Sequence, residues 1–210
     1  MFPLSVIILA GGQSRRMGTD KAFLTVGGRP LIQRMMERVR DLADEVIIVA
    51  NDPEPYRRFG VRIVGDLVKG AGALGGLQAG LSAAMHEWAF AFACDMPFLN
   101  LALLHHMVSL APGYEAVVPR LGGTAEPLHA LYHKRCLAPI ARSLAAGRFQ
   151  MISFLAEVRV RYVEEVEIAP FDPQRLSFFN ANTPEEWQEA LRLLGTSMEG
   201  PPRDGGRPVL

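Results

Sequence analysis

The chain has 210 residues, of which 49% are hydrophobic and 21% charged, so it can bury one sizeable core. Its 22 Lys and Arg balance its 22 Asp and Glu, and a net charge of zero argues against non-specific binding to nucleic acid. No apolar run approaches the ~20 residues that cross a bilayer. The two cysteines, Cys94 and Cys136, exclude a disulfide scaffold or a zinc ribbon. We therefore expect a cytoplasmic protein without membrane or nucleic-acid partners.

The first predicted element is a buried strand over residues 6–9, which ends in a glycine pair and a basic segment. Gly11 and Gly12 lack a Cβ, so their backbone N–H groups can approach a base or a phosphate closely. Three cations follow within seven residues: Arg15, Arg16 and Lys21. The pattern predicts a nucleotide-phosphate site at the carboxyl end of a strand. The alternative is a glycine turn with solvated arginines.

Spacing excludes two common phosphate-binding motifs in this segment. A P-loop requires Gly-Lys followed by Ser or Thr, and a dinucleotide-binding fingerprint requires Gly-x-Gly-x-x-Gly. The glycines here stand at positions 11, 12 and 18, and no Gly-Lys pair is present among them. Neither a P-loop NTPase nor a dinucleotide-binding Rossmann protein is predicted.

Strands and helices alternate in the next part of the chain. Residues 31–39 carry apolar side chains at helical spacing, which predicts an amphipathic helix. A long glycine loop over residues 69–76 is expected to face the first glycine segment and to open a helix at about Leu77. Buried strands are predicted over residues 45–50, 61–64 and 88–94. This order indicates parallel β/α units, and therefore an α/β fold.

Three polar residues stand where these predicted strands end: Asn51, Asp66 and Asp95. Because the carboxyl ends of parallel strands meet at one edge of a sheet, we expect them to lie beside the glycine segment. Magnesium is usually held by one or two carboxylates together with phosphate oxygens. We therefore expect Asp95 to bind Mg²⁺. The alternatives are an Asx turn at Asp95 and a turn cap at Asp66.

The second half of the chain is less regular and is expected to build the wall of a second-substrate site. Helices are predicted over residues 101–110, 137–146 and 151–157. Strands are predicted over residues 115–119, 127–133 and 159–165, the last at a sheet edge. The sequence from Asn182 to Glu186 contains helix-start signals, and the helix is expected to run to about Leu194. The glycine- and proline-rich residues 195–210 are expected to be a disordered tail.

Four segments, in order over about residues 6–187, resemble the molybdenum cofactor guanylyltransferase family (MobA-type). They are Leu9-Ala10-Gly11-Gly12-x-Ser14-x-Arg16-Met17-Gly18-x-Asp20-Lys21, Leu74-Gly75-Gly76, Cys94-Asp95-Met96-Pro97 and Asn180-x-Asn182-Thr183-Pro184-Glu185-Glu186. The resemblance implies a three-layer α/β/α fold. Its sheet would be Rossmann-like and mostly parallel, of the nucleotide-diphospho-sugar transferase (glycosyltransferase-A-like) type. It also implies one nucleotidyltransferase domain over residues 1–194, with a nucleotide-binding half over about 1–100 and a second-substrate half over about 101–194.

The resemblance further implies that GMP is transferred from GTP to molybdopterin, with Mg²⁺ as cofactor, to give molybdopterin guanine dinucleotide and pyrophosphate. The residues at positions matching the family's GTP site are Leu9, Ala10, Gly11, Gly12, Lys21, Asn51, Asp66 and Asp95. Lys21, Asp95 and Arg16 would be catalytic, and Asp95 would hold the metal. Molybdopterin or Mo-molybdopterin would contact His129, Arg148, Asn180 and Asn182. A phosphate nucleophile is already negatively charged, so positioning and charge neutralisation suffice without a general base.

Two alternatives are weighed against guanylyl transfer. Relatives that transfer CMP to molybdopterin tend to read Leu-Ala-Ala-Gly at the first motif, whereas here Ala10 is followed by Gly11-Gly12, which favours the bulkier guanine. A non-catalytic molybdopterin carrier would need neither Asp95 nor Lys21, so their presence favours an enzyme. Other molybdenum-cofactor biosynthesis proteins and apo-molybdoenzymes are the further partners that the resemblance implies.

Overall fold

The computed structural model describes residues 2–10, 21–68 and 70–195. Within them the strands are β1 (Leu4–Leu9), β2 (Thr25–Val26), β3 (Arg29–Pro30), β4 (Glu45–Val49), β5 (Arg62–Val64), β6 (Trp88–Ala93), β7 (Ala116–Leu121), β8 (Thr124–Ala125), β9 (His129–His133) and β10 (Val160–Glu164). The α-helices are α1 (Leu31–Val39), α2 (Gly72–Ala83), α3 (Leu101–Ser109), α4 (Leu137–Ala145), α5 (Glu165–Ile168) and α6 (Pro184–Leu193). Short 3-10 helices occupy Lys21–Phe23, Glu54–Phe59, Lys134–Cys136, Leu155–Glu157 and Leu176–Phe178.

An eight-stranded sheet in the order β10-β7-β9-β6-β1-β4-β5 forms the centre of the fold, with β8 paired to β7. The pairs β6/β1, β1/β4 and β4/β5 are parallel, whereas β9 runs antiparallel to both of its neighbours. β10 lies at one edge, parallel to β7, as the sequence predicts for an edge strand. The mostly parallel sheet confirms the predicted α/β class.

Helices cover both faces of the sheet because successive side chains of its central strand point to opposite faces. Val6 and Ile8 of β1 pack in the core that includes α1, α3 and α6. Ile7, between them, packs with α2 and α4 on the other face. Both faces of β1 are therefore apolar, and the fold has the three predicted layers. Among the helices of the described residues, none combines the length and the apolar character needed to cross a bilayer.

The structure corrects two of the predicted elements. The glycine loop over residues 69–76 is shorter than predicted, because α2 begins at Gly72 and includes the Leu74-Gly75-Gly76 motif. Glycine is needed at position 75 of this helix, because a Cβ there would lie 2.7 Å from the Cβ of Ala71, the N-cap residue of the same helix. Residues 151–157 form turns and the 3-10 helix Leu155–Glu157 rather than an α-helix. The fully buried residues there, Phe154 and Leu155, are consecutive and do not define a helical face.

Gly80 of α2 permits the close contact between this helix and β1. A Cβ at Gly80 would lie 2.5 Å from Cγ2 of the fully buried Ile7. Alanine has a helix propensity about 1 kcal/mol better than glycine, but overpacking a rigid core costs about 1–3 kcal/mol. The cost outweighs or cancels the gain, so we expect Gly80→Ala to lower the free energy of unfolding by up to about 2 kcal/mol, measured by urea denaturation. Ser82→Ala, at an exposed position of the same helix, is the control and should not destabilise. A Gly80→Ala variant that is about 1 kcal/mol more stable than the wild type, as helix propensity alone predicts, would contradict the close packing.

Candidate active site

The carboxyl ends of four neighbouring parallel strands form one edge of the sheet. Main-chain hydrogen bonds extend the pairing beyond the strands, because Cys94 N donates to Leu9 O at 3.1 Å and Ala10 N donates to Val49 O at 2.9 Å. Ala50 N likewise donates to Val64 O at 2.9 Å. The segments that follow β6, β1, β4 and β5 are thereby held side by side, as the sequence predicts. This edge is where open α/β sheets bind their ligands.

Lys21 links two of the predicted site residues. Its Nζ lies 3.0 Å from Oδ2 of Asp95 and donates to Oδ1 of Asn182 at 2.7 Å. The Lys21 side chain is 10% exposed and that of Asp95 is 17% exposed, so this is a largely desolvated ion pair. A desolvated ammonium requires such partners, since burying an unpaired charge is costly. An ammonium that is held in this way can exchange a protein oxygen for a phosphate oxygen.

The start of α6 holds Asn182 in place. Ala181 N donates to the main-chain oxygen of Asp95 at 3.1 Å. Glu186 Oε2 accepts from the N–H groups of Asn182 and Thr183 at 2.7 and 2.9 Å, and Glu186 N donates to Thr183 Oγ1 at 3.1 Å. This is the capping box that the sequence predicts. The helix start is thereby attached to the same residue that carries the Asp95 carboxylate.

Asn51 and Asp66 form a second polar pair on this edge. Asn51 Nδ2 donates to Asp66 Oδ2 at 2.9 Å, and Asp66 N donates to Asn51 Oδ1 at 3.0 Å. Gly76 of α2 lies beside them: a Cβ there would be 3.5 Å from Asp66 Oδ1 and 3.2 Å from Leu9 Cδ2. The predicted nucleotide residues Leu9, Asn51 and Asp66 are therefore close neighbours, with the glycine of the second motif against them.

The remaining predicted nucleotide residues differ in how far the structure describes them. Ala10 follows β1 and is 3% exposed. Gly11, Gly12 and Arg16 lie outside the described residues, so their roles stay predictions. Tyr56, which the sequence pattern does not single out, donates its hydroxyl to Ala10 O at 3.1 Å. The available signal for Tyr56 is an aromatic residue that stands between charged residues, with Glu54 before it and Arg57 after it.

Two of the four residues predicted for the second substrate lie together, because Asn182 N donates to Asn180 O at 3.1 Å. Asn182 contacts Lys21, and Asn180 lies two residues before it, with its Nδ2 donating to Phe178 O at 3.2 Å. Arg148 follows α4, and its guanidinium lies 3.3 Å from Oε1 of Glu157. Within the described residues, no hydrogen bond or ion pair joins Arg148 to Asn180 or Asn182. Among the described contacts of these four residues, the one to Lys21 is made by Asn182.

His129, the fourth of these residues, lies in the core. Its ring is fully buried between those of Phe92 and Phe178, with centroids 5.1 and 4.9 Å away. Burial lowers the pKa of His129 to about 4, against the opposing effect of the Asp172 carboxylate. In the described structure neither ring nitrogen has a hydrogen-bond partner. A direct contact between this ring and a substrate would require its aromatic neighbours to move.

A metal at this edge would have few protein ligands. No group of three or more His, Cys, Asp or Glu side chains able to hold a metal occurs among the described residues. Asp95 offers a single carboxylate, with Oδ2 bonded to Lys21. Magnesium is commonly held by one or two carboxylates with water and substrate phosphates completing its octahedron. The carboxylate of Asp95 therefore fits a magnesium ion that is also bound by the phosphates of a nucleoside triphosphate.

The mostly parallel sheet and the polar residues at its carboxyl edge agree with an α/β domain of the nucleotidyltransferase class. The family model for the MobA-like NTP transferase domain matches residues 6–160, and the chain belongs to this family. The matched range includes all of β4, β5 and β6, together with Lys21, Asn51, Asp66 and Asp95. It ends before Asn180 and Asn182.

Two curated relatives match nearly the whole chain. A probable molybdenum cofactor guanylyltransferase of Pelotomaculum thermopropionicum is 38% identical over 200 residues, which cover 95% of this chain and 98% of the relative. The molybdenum cofactor guanylyltransferase of Desulfosudis oleivorans is 40% identical over 186 residues, covering 88% of this chain and 92% of the relative. Both matches include many residues outside the four motif segments.

Solved structures share the fold. Molybdopterin-guanine dinucleotide biosynthesis protein A from Archaeoglobus fulgidus superposes with a TM-score of 0.79 at 26% identity, covering 91% of this chain and 98% of that chain. The 2-C-methyl-D-erythritol 4-phosphate cytidylyltransferase from Thermus thermophilus superposes with a TM-score of 0.65 at 22% identity, covering 92% of this chain and 100% of that chain. The second likeness concerns the fold alone. Together they confirm the predicted fold class.

The buried His129 should make stability depend on pH. The pKa of His129 is about 4 in the folded state and has its ordinary value of 6.5 in the unfolded state. As the pH falls, this histidine is therefore protonated in the unfolded chain at a higher pH than in the folded protein. The folded state is therefore fully favoured above pH ~6.5 and loses stability as the pH falls toward 4. Between pH ~7.5 and ~5.5 the wild type should lose about 1 kcal/mol more than His129→Gln, measured by urea denaturation.

The exposed His105 of α3 provides the matched control for this measurement. His105→Gln should keep the wild-type pH dependence of the unfolding free energy. A His129→Gln variant that retains that dependence would show that another group causes it.

Proposed function

We propose that the protein transfers GMP from GTP to molybdopterin, forming molybdopterin guanine dinucleotide and releasing pyrophosphate. The observation that carries this proposal is the Lys21–Asp95 ion pair at the carboxyl edge of the sheet, beside the Asn51–Asp66 pair. The names of the curated relatives, both molybdenum cofactor guanylyltransferases, support the choice of substrates. The enzyme would act in the cytoplasm. Its further partners would be other molybdenum-cofactor biosynthesis proteins and apo-molybdoenzymes.

The reaction requires little proton chemistry. An oxygen of the terminal phosphate of molybdopterin attacks the α-phosphorus of GTP, and a new P–O bond forms. The bond from that phosphorus to the oxygen bridging the α- and β-phosphates breaks, and pyrophosphate leaves with the bonding electrons. The nucleophile is already an anion, so the protein needs to align the phosphates and neutralise their charge. A site built around the Lys21 ammonium agrees with this requirement.

Lys21 is the described residue best suited to the phosphates. Its ammonium has three donors, of which two are used by Asp95 and Asn182. Its third N–H could donate a hydrogen bond to the triphosphate. That bond would stabilise the negative charge that develops on the transferred phosphoryl group and on the leaving pyrophosphate. Arg16, which lies outside the described residues, is proposed for the same task on sequence grounds. So are Gly11 and Gly12, whose backbones would approach the nucleotide.

Asp95 is proposed as the ligand of Mg²⁺. The bound ion supplies charge neutralisation for the triphosphate and for the departing pyrophosphate. Asp95 is oriented for this by its ion pair with Lys21 and by the hydrogen bond from Ala181 to its main-chain oxygen. Leu9, Ala10, Asn51 and Asp66 would form the nucleoside end of the GTP site.

Asn180 and Asn182 are proposed as the first contacts of molybdopterin. Asn182 touches Lys21, so a substrate phosphate bound there would lie next to the proposed GTP phosphates. Arg148 and His129 remain proposals from the family resemblance alone. The described side-chain contacts of Arg148 are with Ser143 and Glu157, and His129 is fully buried.

Pyrophosphate release tests the proposed reaction and its base preference. The protein, Mg²⁺ and molybdopterin are incubated with each of GTP, CTP, ATP and UTP in turn. We expect release with GTP and at least about tenfold less with CTP, because the glycine at position 11 admits the larger base. Turnover with CTP alone would reassign the protein to cytidylyl transfer. Release with none of the four would favour the carrier hypothesis.

Asp95→Asn tests the metal assignment. The amide keeps the shape of the carboxylate but removes its charge, so both the magnesium ligand and the partner of Lys21 are lost. We expect kcat/KM for GTP to fall by at least about 100-fold, with an unchanged circular dichroism spectrum. Asp41→Asn, at an exposed position after α1, is the matched control and should keep the wild-type rate. A wild-type rate for Asp95→Asn would remove Asp95 from the mechanism.

A further inference from the structure

A buried tyrosine lies against the end of β1. Tyr56 is 2% exposed, although its neighbours at positions 54, 55, 57 and 58 in the same 3-10 helix are all exposed. This helix belongs to the connection between β4 and β5, which also carries Asn51. A buried tyrosine hydroxyl usually has a hydrogen-bond partner, since leaving it unpaired is costly. The partner of this hydroxyl indicates what the residue does.

The hydroxyl of Tyr56 fixes the last described residue before segment 11–20. It donates to the carbonyl oxygen of Ala10 at 3.1 Å, across 46 positions of sequence. The N–H of the same residue donates to Val49 O at 2.9 Å. Both main-chain polar groups of Ala10 are therefore held, one by β4 and the other by the connection that follows β4.

The ring of Tyr56 contacts the other flank of the same segment. Its centroid lies 5.1 Å from that of Phe23, which ends the 3-10 helix Lys21–Phe23. The guanidinium of Arg58 covers the Phe23 ring at 4.9 Å from its centroid. One side chain thus contacts Ala10, just before segment 11–20, and Phe23, just after it. Lys21 lies two residues from the second contact.

We propose that Tyr56 is a positioning residue for nucleotide binding, which fixes Ala10 relative to Lys21. The inference rests on the proposed function, because it concerns the same GTP site. Tyr56 is buried and acts through Ala10 and Phe23 rather than by touching the nucleotide. Phosphate-binding groups must be held closely, since an error of about 1 Å in a reacting geometry can reduce a rate about 100-fold. Tyr56 belongs to the hydrophobic core, and its hydroxyl and ring would have this positioning task in addition to packing.

Tyr56→Phe is the decisive variant, because it keeps the ring against Phe23 and removes only the hydroxyl. Ala10 O would lose its partner, and the end of β1 would be held less firmly. We expect the affinity for Mg²⁺-GTP to fall about tenfold, measured by titration calorimetry without a second substrate. In the pyrophosphate assay KM for GTP should rise while KM for molybdopterin stays within about twofold of wild type.

Tyr162→Phe is the matched control, since it removes a tyrosine hydroxyl from the edge strand β10. Its GTP affinity should equal that of the wild type. All variants are titrated at a temperature where thermal unfolding shows them fully folded. If Tyr56→Phe loses stability but binds GTP as the wild type does, the residue is structural only and the inference is overturned. If the wild type itself binds no GTP, the proposed function fails instead.

A double-mutant cycle tests whether the two contacts act together. Phe23→Leu shortens the side chain on the other flank and should also weaken GTP binding. If both contacts hold the same segment, the combined variant should lose less affinity than the product of the two single losses. A combined loss equal to that product would show that the contacts act independently, and would overturn their joint positioning role.

Discussion

The ammonium of Lys21, shared between Asp95 and Asn182, is the contact on which the organisation of the site depends. Asp95 lies 74 positions from Lys21 along the chain, and Asn182 lies 161 positions from it. The Lys21 side chain is only 10% exposed, so it cannot replace these partners with water at low cost. Lys21 can contact both partners only when three parts of the fold meet. These are the 3-10 helix that begins at Lys21, the end of β6 and the start of α6.

Each of those parts has its own physical cause. β1 and β6 are adjacent and parallel, so the residues that follow them leave the sheet side by side. The capping box of α6 fixes the peptides of Asn182 and Thr183, and Ala181 ties this turn to Asp95. Asn182, in the half predicted for the second substrate, therefore contacts Lys21, in the half predicted for the nucleotide.

Much of the fold could be predicted because local signals decide it. The strands β4, β5 and β6 are short and end in turn residues, which fixes both the element type and the edge that Asn51, Asp66 and Asp95 share. The capping signature of α6 is equally local. The predicted start of α2 is wrong because two glycines next to Leu74 suggest a loop, whereas close packing of Gly76 and Gly80 against β1 favours a helix. Tertiary contact overrides propensity there.

The contacts between distant residues could not be predicted from local signals. Nothing near His129 in the sequence indicates that Phe92 and Phe178 enclose it. The Lys21–Asn182 hydrogen bond and the Tyr56–Ala10 hydrogen bond likewise depend on how separate elements are placed. The family resemblance supplied residue identities at the site, but the partners of those residues came only from the structure.

The most direct test of this account follows the phosphorus atoms of GTP. The protein is incubated with Mg²⁺ and molybdopterin, and with GTP radiolabelled either at the α-phosphate or at the γ-phosphate; the products are then separated by chromatography. Transfer of GMP predicts that the α-label appears in the pterin dinucleotide and that the γ-label appears in pyrophosphate. Label from the γ-phosphate in the pterin product, or no label from the α-phosphate there, would contradict nucleotidyl transfer at this site.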